Sequence, residues 1–232
     1  EVLTEALFRE ATDKLFSSAP ISTVEFMNRL GGIPLAFEPG ARWQYGASAD
    51  VLGAIVEVVS GMRFGEFLQK RIFEPLGMKD TAFYVPKDKQ SRLSKVYEET
   101  PEGLKAYYGS HLAVQNRMEF EPAFESGGAG LVSTLDDYAH FASMLTHKGI
   151  WQGRRILGPK TVAFMAQNHL SGQQQRTFNW DALKGYGYGC LMRVLTDQTL
   201  ACESTPPGEF GWDGWTGNYM SVSMQEDLVF LY

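Results

Sequence analysis

The chain has 232 residues, 44% of them hydrophobic and 13% aromatic, enough for one large domain or two small ones with a substantial buried core, which excludes a disordered tail. Its formal net charge of -6 and pI near 5.3 repel a phosphate backbone, so nucleic acid is not an expected partner. No apolar run approaches the roughly 20 residues that a membrane-spanning helix needs.

Glu1-Val2-Leu3-Thr4-Glu5 lacks the basic start and apolar middle of a signal peptide. Either the protein is soluble and intracellular or processing has removed its start. From Leu3 to Phe16, apolar residues at Leu3, Leu7, Ala11 and Leu15 mark one helical face. Ser22-Thr23-Val24-Glu25 predicts a capping box at the start of a second helix, which Gly31-Gly32 ends. Phe37-Glu38-Pro39-Gly40 is a turn, because Pro fixes φ at the first central position and Gly supplies the positive φ of the second. Arg42 to Tyr45 leaves it extended.

The helix from Asp50 carries Val51, Leu52, Ile55, Val56, Val58 and Val59, apolar on most sides, and is expected to be buried and to end at Gly61. Another spans Phe64 to Phe73, closed by Pro75-Leu76-Gly77. Residues 85 to 125 show little periodicity and predict a long excursion with short strands. Ser126-Gly127-Gly128-Ala129-Gly130 reads as a flexible approach to a helix with the stripe Leu135, Tyr138, Phe141, Ala142 and Leu145, ending at Gly149. Gly158-Pro159 starts one more helix.

Beyond Asn168 the pattern changes to strands. Tyr186, Tyr188, Cys190, Met192 and Val194 alternate, with Thr199 to Ser204 expected to pair back across Thr196-Asp197-Gln198. Asn218 to Met224 and Leu228 to Tyr232 make a second hairpin about Gln225-Glu226-Asp227, and Leu228-Val229-Phe230-Leu231 reads as a central strand. The expected division is a mainly helical region over 1–180 and antiparallel strands over 181–232, of α+β class.

Cys190 and Cys202 are too few for a disulfide framework and read as buried small hydrophobes. His111, His140, His147 and His169 are scattered without a ligand-pair spacing, so no metal and no cofactor are expected. Gly46-Ala47-Ser48-Ala49-Asp50 partly imitates the Gly-x-Ser-x-Gly nucleophile elbow, and Asp136 or Asp137 with His169 would complete its chain order. The final Gly is absent, and no strand-helix alternation surrounds it.

The segments Phe37 to Tyr45, Val51 to Gly61 and Ile72-Phe73-Glu74-Pro75-Leu76-Gly77-Met78-Lys79-Asp80-Thr81, with Gly128 to Asp137 and Gly211-Trp212-Asp213-Gly214, cover most of the chain. Together they resemble the serine beta-lactamase-like superfamily. The Tyr45-x-x-x-x-Asp50-Val51-Leu52-Gly53 spacing is closer to its family VIII carboxylesterases and their transesterase relatives than to the class C beta-lactamases. The resemblance implies a beta-lactamase/transpeptidase-like fold, a helical domain packed on an antiparallel sheet with the active site in the cleft between them. In that family a Ser-x-x-Lys helix supplies the nucleophile and an amine. This sequence contains no Ser-x-x-Lys, and with a terminal strand at Tyr232 the expectation is a chain incomplete at both ends.

Carried over, Tyr45 takes the position of the family's catalytic tyrosine, and Trp212, Asp213 and Gly214 that of the strand forming the opposite wall. The Trp215 backbone amide falls where one oxyanion donor stands. A phenol titrates at about 10 in water, so a phenolate base needs a cation beside it, which a family lysine would supply. Arg42 is close in sequence to Tyr45. On their own, Tyr45 and Trp212 would be packed aromatics and Gly214 an ordinary strand bend; the flanking match favours the site. Trp212 replaces the cation that beta-lactam-binding members use to hold a substrate carboxylate, and Asp213 adds negative charge, which favours an uncharged small-molecule ester or amide. The implied activity is ester hydrolysis through an acyl-enzyme. A non-catalytic binder, and a beta-lactamase or D-Ala-D-Ala peptidase, are the alternatives. Oligomeric state and compartment are open.

Overall fold

The computed structural model describes residues 2–14, 17–109 and 118–232. They fall into two compact units, one formed by Glu1–Pro34, Gly46–Lys70 and Asp80–Ser133, the other by Leu35–Tyr45, Arg71–Lys79 and Thr134–Tyr232. His111 lies outside the described residues.

In the first unit, α1 (Val2–Asp13) and α2 (Thr23–Leu30) pack an apolar cluster of Leu7, Phe8, Ala11, Ile21, Phe26 and Phe124. Phe26 stacks on Phe124 with centroids 4.5 Å apart. Leu7 and Ala11 of the expected α1 face are buried, Leu3 is exposed, and Leu15 lies outside the described residues. Ser22 caps α2 by accepting from the Glu25 amide, while the Glu25 carboxylate pairs with Arg29 instead of closing the box.

α3 (Ser48–Ser60) ends at Gly61 in the left-handed region, φ 68°. Its expected burial is not observed: Val51, Leu52, Ile55, Val58 and Val59 are exposed, and the buried positions are Asp50, Gly53 and Ala54. The face that packs is the one with small side chains, where the backbone approaches closely; the Phe64 ring sits 3.2 Å from where a Gly53 Cβ would be. α4 (Phe64–Leu68) passes into a π-helical turn, Gln69–Phe73. The hairpin β1 (Tyr97–Thr100) and β2 (Gly103–Ala106) supplies the short strands of the 85–125 excursion.

Ser126-Gly127-Gly128-Ala129-Gly130 is not the flexible approach its composition suggests. Ser126 is buried and donates to Asp50 Oδ1 (2.6 Å), which also accepts from the Gly128 amide (3.3 Å). A Cβ on Gly127 would stand 2.3 Å from the Ala49 carbonyl oxygen. The glycines serve close backbone approach rather than mobility.

The second unit contains α5 (Glu74–Leu76), closed by Gly77 at φ 71°, and α6 (Leu135–Thr146), capped by Thr134. A small hairpin of β3 (Ile150–Trp151) and β4 (Arg154–Arg155), then α7 (Pro159–Met165) and α8 (Gly172–Gln175), lead to the sheet. Its strands β5 (Tyr186–Tyr188), β6 (Arg193–Leu195), β7 (Phe210–Asp213), β8 (Tyr219–Ser223) and β9 (Leu228–Leu231) lie antiparallel in chain order, with α9 (Gln198–Ala201) between β6 and β7. α6 packs against β8 and β9.

Three strand-region expectations are corrected. The alternating run 186–194 is two paired strands with a tight connection in which Leu191 takes φ 59°, and Thr199 to Ser204 contributes α9 instead of a strand, because the Asp197 carboxylate caps the Thr199 and Leu200 amides. Among the described residues Leu228–Leu231 is the sheet's last strand, with β8 on one side only and Leu228 and Phe230 exposed. Cys190 and Cys202 are exposed, one in the β5–β6 connection and the other at the left-handed end of α9, positions the core does not reach. Among the described residues no helix is long and apolar enough to cross a membrane.

Candidate functional site

The site is assembled within the second unit, starting from the turn before Tyr45. Ala41 N donates to Glu38 O (3.0 Å) across Pro39 and Gly40, and Gly40 takes φ 85° as the sequence requires. The Gln174 side chain donates to Gly40 O (3.0 Å), and Trp43 N donates to Thr177 Oγ1 (2.8 Å). Ser171 and Gln174 close a reciprocal capping box on α8, which fixes these partners. Trp43 and the turn before it are therefore held by the Thr177 and Gln174 side chains, more than a hundred positions away.

Trp43 is the hub of an aromatic cluster. Its ring meets Phe178 at 4.7 Å, Trp180 at 5.3 Å and Tyr188 at 5.5 Å, each edge to face, the geometry ring quadrupoles favour. Beneath lie the buried Phe178, Leu183, Tyr186 and Leu195. Tyr45 stacks on Trp212 with centroids 5.7 Å apart and planes 5° from parallel, and meets Trp180 at 5.5 Å. Trp212 in turn packs edge-on against Tyr188 at 5.5 Å. Burial, and then the neighbouring Tyr45 phenol, pushes the Tyr188 hydroxyl up to about 12.

Tyr45 and Trp212, far apart in sequence, are brought ring to ring; Asp213 and Gly214 follow Trp212 at the end of β7. The Gly214 amide donates to Asn218 O (2.7 Å), so it is committed to the turn. A Cβ at Gly214 would fall 2.0 Å from Asn218 Oδ1, which explains the glycine. Trp215 follows in the same turn with an exposed side chain. Asp213 is mostly exposed, and the buried Arg193 guanidinium lies 3.9 Å from its carboxylate. That cation offsets part of the negative charge on which the argument against carboxylate substrates rests.

Arg42 lies over the Phe37 ring at 4.3 Å. The nucleophile-elbow motif is not an elbow: Ser48 opens α3 directly after irregular residues 43–47, with no strand leading into it. His169 Nε2 is engaged with the Phe164 carbonyl (2.7 Å) and its ring rests on Phe164 at 4.0 Å. Sequence reasoning missed Trp43, Phe178, Trp180 and Tyr188. The available signal was the aromatic density of 176–190 with Trp43 two residues from Tyr45.

The described helices and antiparallel sheet are those of the beta-lactamase/transpeptidase fold. The chain belongs to the beta-lactamase family, whose model matches residues 5–232. It is 32% identical over 217 residues to Protein Rv1367c of Mycobacterium tuberculosis, covering 88% of this chain and 51% of that protein. It is 30% identical over 205 residues to Esterase EstB of Burkholderia gladioli, covering 84% and 50%. Among solved structures it resembles EstCE1, described as a hydrolase with promiscuous acyltransferase activity, with a TM-score of 0.75 and 27% identity over 93% of this chain and 56% of that one. The chain spans about half the length of these relatives.

Proposed function

We propose that the full-length protein is a serine hydrolase that cleaves an uncharged ester through an acyl-enzyme, with its nucleophile carried outside these 232 residues. The observation that supports this most is the Tyr45 ring lying parallel on Trp212 in a chain of the beta-lactamase family. In the proposed reaction the nucleophile's hydroxyl adds to the ester carbonyl as its proton passes to the Tyr45 oxygen, while the phenol hands its own proton to an amine carried with the nucleophile outside these residues. The tetrahedral oxyanion accepts from the Trp215 amide, and the alcohol leaves with a proton returned through the same phenol. Water then repeats the cycle on the acyl-enzyme. Trp212, Asp213 and Gly214 border the substrate, and the mostly exposed Asp213 carboxylate disfavours an anionic one.

The test is hydrolysis of p-nitrophenyl butyrate by the full-length protein. Tyr45→Phe is expected to lower kcat/KM by about 10²-fold or more without moving the thermal midpoint, because the hydroxyl acts only on the proton in flight. Unchanged activity would remove Tyr45 from the mechanism. Failure of the full-length protein to take a fluorophosphonate label would favour a non-catalytic binding protein. The 232-residue chain by itself is expected to be inactive; turnover by it would place the nucleophile within the present sequence.

A further inference from the structure

The aromatic cluster carries more surface than the chemistry at Tyr45 requires. Tyr45 and Trp180 are 45% and 46% exposed, although each packs against two or more rings. A guest held between two ring faces needs about 7 Å between them, twice the usual contact distance of about 3.5 Å. The parallel Tyr45 and Trp212 rings are 5.7 Å apart, and the Trp43–Trp180 and Tyr45–Trp180 pairs 5.3 and 5.5 Å. The rings therefore fill their own interior and cannot form a cage around a cation; only their outer surfaces are open to a ligand. Trp180 stands at 48° to Tyr45 and at 83° to Trp43, which gives that surface an angular wall. The nearest charge on the strand bearing Trp212 is the exposed Asp213 carboxylate, which Arg193 at 3.9 Å offsets in part, so the surface offers an anionic guest no strong attraction.

We propose that the outer surface of Trp180, Tyr45 and Trp212 is a binding subsite for a neutral planar aryl group, with Trp180 the residue that determines preference for it. This deepens the esterase reading and rests on it for the statement that the aryl group belongs to an ester. A flat ring can lie against the Trp180 face or meet its edge while displacing water from apolar surface, whereas a short alkyl chain covers little of it. The aryl group can enter on the alcohol or the acyl side of the ester, and the two sides are separable by substrate.

The experiment uses the full-length protein and compares kcat/KM for 2-naphthyl acetate, methyl 2-naphthoate and trifluoroethyl butyrate in wild type, Trp180→Ala and Trp180→Phe. In Trp180→Ala the ratio of at least one naphthyl ester to trifluoroethyl butyrate is expected to fall about tenfold or more, with Trp180→Phe recovering most of it. Which naphthyl ester falls identifies the side. A uniform fall in all three, or no change in the ratios, would overturn the subsite. In parallel, 2-naphthol binding is measured by calorimetry, a readout that needs no turnover, and its Kd is expected to weaken about tenfold in Trp180→Ala. If that variant proves misfolded by its thermal midpoint, Trp180→Leu replaces it. Binding that depends on Trp180 in a protein that hydrolyses no ester would overturn the esterase reading and leave the subsite standing. Ester hydrolysis with unaltered preference and naphthol binding indifferent to Trp180 would do the reverse.

Discussion

Both units bury carboxylates, and they compensate them differently. In the first unit Asp50 and Glu125 lie in one joint: Asp50 accepts from the Ser126 hydroxyl and the Gly128 amide, and Glu125 accepts from the Gly65 amide (2.8 Å) beside Arg63 (2.9 Å). In the second unit Glu209 accepts from Ser221 and faces Arg193 at 3.5 Å, both side chains almost wholly buried. Burial is the leading cause that raises all three carboxyls above their ordinary values. In the first joint the compensation is largely neutral and backbone-derived, which ties α3, α4 and the glycine segment into one packed unit. In the second it is ionic and incomplete, since Arg193 Nη1 and Glu209 Oε2 are buried with no hydrogen-bond partner among the described residues. Incomplete pairing between β6 and the start of β7, the strand that carries Trp212 and Asp213, makes this the more fragile of the two.

The largest expected effect follows from that fragility. Arg193→Met leaves Glu209 buried without its cation and also removes the donor to the Tyr219 hydroxyl and the guanidinium lying 4.7 Å from the Tyr219 ring. A loss of about 3–5 kcal/mol is expected in urea unfolding, the scale for breaking a buried pair. Arg193→Met combined with Glu209→Leu is expected to recover most of it, because two well-packed apolar residues replace a pair whose desolvation was poorly repaid. A double variant as unstable as the single one would mean that the pair is not the source of the loss.

A smaller change is expected at the other joint, with a pH signature. Asp50→Ala leaves the Ser126 hydroxyl and the Gly128 amide without their buried acceptor and is expected to cost about 1–3 kcal/mol. Asp50→Asn keeps an acceptor and does not titrate. Because the folded-state value of Asp50 is raised, the native state holds that proton in a window where the unfolded chain has released it, and stability falls as pH rises through the window. Wild type should therefore lose stability relative to Asp50→Asn from about pH 4 upward, reaching a plateau above the folded value. Urea midpoints for the pair across pH 4–8 check this; a gap that moves in the opposite direction would show that the buried carboxylate is not the titrating group.

What the sequence made legible was local. Ser22 as a cap, Gly61 and Gly77 as left-handed helix ends, and Gly40 in its turn are each dictated by the geometry of a few adjacent residues. The stacking of Tyr45 on Trp212 was foreshadowed only by family motifs, since no periodicity links positions so far apart. Trp43, Phe178 and Trp180 escaped because what joins them is a bond from Trp43 N to Thr177 across 134 positions. The 126–130 segment misled for a different reason: glycine marks close approach and flexibility alike, and only the Ala49 carbonyl beside Gly127 distinguishes them.

α3 sharpens the contrast from the other side and carries the smallest expected effect. An all-round apolar helix predicts burial, yet in this chain Asp50 and the small Gly53 and Ala54 make the packed face, while Val59 is 81% exposed. Val59→Lys in the 232-residue chain is expected to shift stability by no more than about 0.5 kcal/mol, since it removes no buried contact and exchanges one exposed side chain for another. The exposed Val51, Leu52, Ile55, Val58 and Val59 form more apolar surface along one helix than scattered single residues do. The same substitution should accordingly reduce self-association of the chain at high concentration, measured by sedimentation. A loss well beyond 1 kcal/mol would mean that Val59 is covered in solution, and α3 would then owe its position to its branched residues rather than to the joint at Asp50.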